Sequence, residues 1–413
     1  MSYTIELPPE LQLHILNFAT TTRKPKLDTE YHPFDHVAPA PTSTTGASHR
    51  KKRAWALVLV CRLWRELTLP SLYKSLTVDG TTRTDKLLQV LQTSAQRGPN
   101  DGYGRWVKRV DVFDWGVKRD ELYDRGEPYP QDPTFLCDIL SLCPQVEILV
   151  QRYQYTNPRS IADLDVSRIK YLDWMPPHLG RHISRGSYLF AHVLTTSAHL
   201  TYLSIGKLPR APMLLVPYDL TLSSLTTLQI RTAFNFLPKL ETWSFPKLKN
   251  IVTDSSLLWS SCSPILENPT IKVVELLGDS EFMKAEYLVP LLSTCLNLRE
   301  LSYPIASIKP SSRFPTSYPS LQCVRFYHKA NPEADGDDFL THVERHFSMF
   351  RRVRFPALKR IVLHGCWRRV LESHQFRTLY WTLQQEGIQL DLEDGLLCMP
   401  ITAYDSVLTN EVN

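Results

Sequence analysis

Leu225-Thr226-Thr227-Leu228-Gln229-Ile230, Leu248-Lys249-Asn250-Ile251-Val252-Thr253 and Ile271-Lys272-Val273-Val274-Glu275-Leu276 share one pattern, and their starting residues stand 23 positions apart. An apolar residue, two variable positions, a second apolar residue and one further variable position before a third apolar residue make a short strand with one buried face. The same run recurs at Val107-x-x-Val110-x-Val112, Ile169-x-x-Leu172-x-Trp174 and Leu200-x-x-Leu203-x-Ile205. Further copies are Leu298-x-x-Leu301-x-Tyr303, Leu321-x-x-Val324-x-Phe326 and Leu358-x-x-Ile361-x-Leu363, with a weaker one from Val146. Between the runs, Asp85-Lys86-Leu87-Leu88-x-Val90-Leu91 and Thr134-Phe135-Leu136-x-x-Ile139-Leu140-x-Leu142 carry helical spacing. Helix plus strand is therefore the expected unit.

Steps of 23 to 27 residues between the best copies fall inside the leucine-rich-repeat range of roughly 20 to 29, and the array resembles irregular leucine-rich repeats. Phe245-Pro246-x-Leu248, Tyr318-Pro319-x-Leu321 and Phe355-Pro356-x-Leu358 introduce three units alike: proline suits the turn before a strand, and the aromatic ring is placed to fill the gap between stacked units. A regular run of closing asparagines is absent from the sequence. The resemblance implies an α/β fold, with parallel strands on a concave side and helices outside. The two ends then need caps: the N-terminal helices and the Asp85 helix at the start, Gln375–Gln385 and the residues beyond it at the finish.

Strand alternation sends a defined set of side chains to the concave face. They are Arg109, Asp111, Tyr171, Asp173, Tyr202, Gln229, Arg231, Asp254, Glu275, Glu300, Arg325, Tyr327, Arg360 and His364. Aromatic and arginine residues interleaved with acids suit recognition of a protein by a few anchors, whereas a phosphate-reading surface is more uniformly basic. All of these except Asp254 and His364 form the candidate substrate-binding set, although each taken singly reads rather as a solvated strand residue.

Ahead of the array stand Leu7-Pro8-Pro9-Glu10-Leu11-Gln12-Leu13-His14-Ile15-Leu16-Asn17-Phe18 and Ala56-Leu57-Val58-Leu59-Val60-Cys61-Arg62-Leu63-Trp64-Arg65-Glu66-Leu67. The first helix has an apolar arc of about 220°, about twice what a surface helix needs, so either the rest of the chain or a partner must cover it. The pattern Leu7-Pro8-x-Glu10-Leu11 with Ile15-Leu16, then Leu57-x-x-Val60-Cys61-Arg62-x-Trp64-Arg65-x-Leu67 and Leu72-Tyr73-x-x-Leu76, resembles an F-box. That resemblance implies docking on the adaptor subunit of an SCF (cullin-RING) ubiquitin ligase, and through it on the cullin scaffold. Leu7, Pro8, Leu11, Ile15, Leu16, Cys61 and Trp64 are then the adaptor contacts. The expected organisation is an F-box-like module over 1–79, the repeat solenoid over 80–400 and a tail over 401–413. Thr20–Arg53, rich in Thr, Pro and Lys and without apolar periodicity, departs from the family pattern and reads as a disordered insertion.

Composition narrows the remaining classes. A net charge of +5 over 413 residues gives no broad case for nucleic acid; the basic cluster His49-Arg50-Lys51-Lys52-Arg53 reads as a solvated lead-in or as a nuclear import signal. No apolar run approaches the roughly 20 residues a membrane span needs, and Met1–Glu6 lacks the features of a secretory signal. Eight scattered cysteines form no zinc knuckle, and Asn268-Pro269-Thr270 is barred from glycosylation by its proline. A cytoplasmic or nuclear protein is expected, without membrane or nucleic-acid partners. His342-Val343-Glu344-Arg345-His346 lacks the metalloprotease order and reads as a helical surface pair. His364-Gly365-Cys366-Trp367 lacks an orienting third group, and there is no phosphate-cradling glycine loop. No catalytic residue, metal or cofactor is assigned. The expected function is substrate recognition for an SCF ligase; the alternative is a repeat scaffold independent of ubiquitination.

Overall fold

The computed structural model describes residues 8, 11, 30–34, 56–78, 82–96, 98, 102–112, 135–151, 161, 163–174, 186–206, 217–231, 240, 242–254, 263–277, 283–284, 288–309, 317–328 and 337–393. The chain forms two compact units. The first comprises 1–30, 36–225 and 243–245, and the second comprises 31–35, 226–242 and 246–413.

In the first unit, helix α1 (Arg62–Tyr73) leads into strand β1 (Ser75–Val78), followed by α2 (Thr82–Ala95), β2 (Arg109–Val112), α3 (Phe135–Leu142), β3 (Ile148–Gln151), β4 (Tyr171–Trp174), α4 (Gly186–Thr196) and β5 (Tyr202–Ile205). Strands β1 to β5 pair in parallel in chain order, and their register sets Leu76, Val110, Leu149, Leu172 and Leu203 side by side. That row is nearly or completely shut off from solvent. Burying each such side chain contributes about 2 kcal/mol, and no unit encloses its own, so adjacent units hold each other. Helix α4 covers the apolar side, with the Phe190 ring 5.2 Å from that of Trp174.

The second unit repeats the plan with β6 (Thr227–Ile230), β7 (Asn250–Asp254), α5 (Ser263–Leu266), β8 (Val273–Leu277), β9 (Met283–Lys284), α6 (Leu288–Thr294), β10 (Glu300–Pro304), β11 (Ile308–Lys309), β12 (Cys323–His328), α7 (Asp337–Met349), β13 (Arg360–Gly365), α8 (Arg368–Glu372), α9 (His374–Gln385) and β14 (Gln389–Leu392). Its parallel sheet runs β6-β7-β8-β10-β12-β13-β14, with β9 and β11 paired apart from it. The buried row is Leu228, Ile251, Val274, Leu301, Val324, Ile361 and Leu390. Helix α7 closes this apolar side: Phe347 meets Phe326 edge-on at 5.1 Å.

The recurrent run has a local cause. The amide of its first apolar residue donates to the carbonyl three residues earlier at Val107, Val146, Ile169, Leu200, Leu225, Ile271, Leu298 and Leu358, at 2.9 to 3.3 Å. The next amide then reaches sideways to the preceding unit: Lys272 N donates to Lys249 O (2.8 Å), Arg299 N to Lys272 O (2.8 Å), Gln322 N to Arg299 O (2.8 Å) and Lys359 N to Gln322 O (2.9 Å). Lys108, Glu147, Lys170 and Thr201 make the same ladder in the first unit. All ten runs read from the sequence are strands. Phe245, Tyr318 and Phe355, the aromatics before proline, are buried, and the Tyr318 and Phe355 rings stand 6.3 Å apart between successive units. The architecture is thus an α/β array of helices and parallel strands, consistent with a leucine-rich-repeat solenoid.

Candidate recognition surface

Opposite the buried rows lie the variable positions. In the second unit the register aligns Gln229, Val252, Glu275, Ser302, Arg325, Val362 and Asp391 across the sheet. A flanking row sets Glu300 beside Cys323 and Arg360, and another sets Tyr327 beside His364. Arg325 donates from Nε and Nη2 to one oxygen of Glu300 at 3.1 and 2.9 Å. Gln229 and Glu275 are buried, Glu300, Arg325, Tyr327 and Arg231 half-buried, and Arg360 exposed. Asp254 ends β7, and its side chain lies outside the described set.

Glu275 is 0% exposed although it stands on the variable side. Tyr31-His32-Pro33-Phe34 contributes to this cover. The Tyr31 hydroxyl donates to Glu275 Oε2 at 2.5 Å, and the Phe34 amide donates to the same oxygen at 3.1 Å. The Phe34 ring meets His364 edge-on at 5.0 Å and tilts against Tyr327 at 5.3 Å. Burial, and then the neighbouring Glu275 charge, push the Tyr31 phenol well above its usual range. Burial, and then the Arg325 charge, push the His364 imidazole down. The expectation of disorder across 20–53 does not hold for these four residues. Composition averaged over the whole stretch hides two aromatic rings and a proline that together bury apolar area.

The variable side of the first unit is closed differently. Arg109 Nε donates to both carboxylate oxygens of Asp111, at 2.9 and 3.0 Å. Tyr171 and Tyr202 stack with ring centres 4.1 Å apart, and Asp173 is buried. At the start of the strands Lys108 and Lys170 both reach Glu147, at 2.9 and 3.0 Å, and the Lys108 hydrogen bond leads in holding that carboxyl below its usual range.

Of the expected adaptor contacts, Leu7, Ile15 and Leu16 lie outside the described residues. Pro8 and Leu11 are exposed. Cys61 caps α1, its sulfur accepting from the Trp64 amide at 3.5 Å; Cys61 is exposed and Trp64 half-buried. Helix α1 has two unlike ends. Around its start Leu59, Val60 and Leu63 are 81%, 61% and 48% exposed, whereas at its finish Tyr73 is buried. Tyr73 stacks on Tyr103 at 4.8 Å, and Tyr103 on Trp106 at 5.7 Å.

His342 and His346 do not form the surface pair expected of them: His346 is 0% exposed. Its Nε2 donates to Ile308 O at 2.8 Å, and its Nδ1 accepts from the Tyr303 hydroxyl at 3.0 Å, an arrangement that fits the neutral ring. Burial and then neighbouring His342, whose Nε2 lies 3.1 Å away, bring the His346 pKa down to about 3. The sequence signal missed here was the apolar 3.6-residue spacing of Leu340, Val343, Phe347 and Phe350, which turns this histidine inward. Burial pushes the thiols of Cys143 and Cys295 up to about 12, away from nucleophilic duty. Among the described residues no three metal-ligating side chains converge, and no helix is long and apolar enough to cross a membrane.

No protein-family model matches the chain, and no curated protein matches it in sequence. Among solved structures, the leucine-rich repeat-containing protein LegL7 from Legionella pneumophila aligns with 84% of this chain and 95% of its own, at 11% identity and a TM-score of 0.34. The repeat architecture rests on the strand register and buried rows of this chain, not on that likeness.

Proposed function

We propose that this chain is a protein-recognition scaffold serving as the substrate-recognition subunit of an SCF (cullin-RING) ubiquitin ligase. In this reading the N-terminal helices grip the adaptor, the variable side of the strands holds a substrate protein, and chemistry belongs to the partner enzymes. Holding both partners on one chain makes ubiquitin transfer effectively intramolecular. The observation that carries the reading is the exposed apolar set Leu11, Leu59, Val60 and Leu63, within the very stretches whose motif resembles an F-box. Such residues are costly to leave in water and suit a partner interface.

A second reading, a scaffold without a ligase, is favoured by the Tyr73-Tyr103-Trp106 stack, which fastens α1 to the first repeat. Co-expression with the ligase adaptor separates the two. Capture by the intact chain, lost in Leu11→Asp with Leu63→Asp, supports the receptor; because both residues are exposed, the double variant keeps its fold. An intact chain that captures no adaptor leaves the scaffold alone.

A further inference from the structure

Tyr31–Phe34 lies on the variable side of the second unit as a peptide lies in a binding groove. Two aromatic anchors three positions apart flank a proline, and a single carboxylate oxygen reads both the Tyr31 hydroxyl and the Phe34 amide. Ser302 and Arg325 continue the row of the sheet from Glu275, and Tyr327 and His364 receive the second ring. Phe34 has φ of 59°, a left-handed conformation uncommon outside glycine, asparagine and aspartate, so its shape is imposed by the contact rather than by local preference. The strand positions it covers are variable positions of the repeat, where alternation expects a surface.

We propose that Glu275, Ser302, Arg325, Tyr327 and His364 form a binding site for protein segments carrying tyrosine followed three residues later by a second aromatic residue, and that Tyr31–Phe34 is its tethered occupant, which a substrate displaces. This deepens the reading of the variable side as the recognition surface and rests on it, but it is independent of the adaptor. The aromatic anchors supply buried area, and the carboxylate supplies selection: a segment with phenylalanine in the first position leaves Glu275 desolvated without its hydroxyl donor. Tethering holds the internal segment at an effective concentration of about 1 mM, so a foreign segment must compete with it.

The probe is a fluorescent synthetic peptide with the sequence of residues 30–35, titrated into the full chain and into a Tyr31→Ala, Phe34→Ala variant. The variant is expected to bind saturably and at least about tenfold more tightly than the intact chain, and a peptide with phenylalanine in place of tyrosine is expected to bind about tenfold more weakly. A variant with unchanged circular dichroism that binds no peptide overturns the proposal. So does equal binding by the two chains. Should the variant fail to fold, hydrogen exchange in the intact chain decides: excess peptide must speed exchange at the Phe34 amide, and unchanged exchange at about 1 mM peptide, the tether's own effective concentration, overturns the proposal. Adaptor capture is read separately. Peptide binding without adaptor capture removes only the ligase, and adaptor capture without peptide binding removes only this site.

Discussion

The variable sides of the two units differ in how one carboxylate on each is met. In the first, Arg109 meets Asp111 two positions along one strand, and Tyr171 stacks on Tyr202 from the adjoining strand. In the second, Glu275 takes two donors from Tyr31 and Phe34, whose sequence separations from it are 244 and 241. A carboxylate that meets its donor within one strand is placed as soon as that strand forms. One that takes its donors from a remote segment can exchange that segment for another, which makes the second unit the better place to look for recognition.

The largest expected difference between the two units appears with pH. His346 is neutral in the fold with its pKa lowered from 6.5 to about 3, so the unfolded chain takes up a proton first as pH falls. Stability is complete above about 6.5 and drains away toward pH 3, by on the order of 4 kcal/mol. His364, also lowered, adds to the same loss. Glu147 behaves otherwise: its lowered carboxyl yields stability that is lost only as pH drops below its ordinary value of 4.5 and through the folded one. Urea denaturation with pulsed hydrogen exchange should therefore show β10 and β12 weakening at pH 5 while β3 and β4 hold. A His346→Gln chain with an unaltered slope would refute this assignment.

A smaller effect separates the two carboxylates. Glu275→Gln turns two charge-assisted hydrogen bonds into neutral ones, weakening the docked segment by about 1 to 2 kcal/mol and speeding exchange at the Phe34 amide about tenfold. Asp111→Asn weakens a pair already held within one strand, and should change neither the Phe34 amide nor peptide binding. If both substitutions release the segment equally, the contrast between the faces fails. Smallest of all is Lys170→Ala. Its side chain is 45% exposed, so solvent screening reduces the ion pair to about 0.5 kcal/mol or less in chemical denaturation. A loss above about 1 kcal/mol would mean that the Lys108-Glu147-Lys170 cluster acts as a network instead of as separate surface pairs.

The repeat is legible in the sequence because its cause is local: period, turn and buried row all lie within one short run. Strands β1 and β14 are not, since Ser75-Leu76-Thr77-Val78 reads as the end of the F-box-like motif and Gln389-Leu390-Asp391-Leu392 as part of a terminal cap. Parity places the variable side chains on a common face, but it cannot say that Glu275, Gln229 and Asp173 are buried there. For Glu275 the covering residues are far away in sequence, and nothing in the alternation of β8 announces them. Tyr31-His32-Pro33-Phe34 escapes a sequence reading because four residues with two rings are too short for periodicity and too few to alter the composition of the surrounding stretch.

The sideways amide ladder has a consequence for how such a chain can change. Gln322 and Lys359 are 37 residues apart while Lys249 and Lys272 are 23 apart, yet Lys359 N and Lys272 N each reach the preceding unit through the same bond, at 2.9 and 2.8 Å. Distance along the chain is thereby uncoupled from distance across the sheet. Segments between strands can lengthen, shorten or be exchanged without disturbing the alignment of the residues on the variable side. The connections can be edited while the ruler stays fixed.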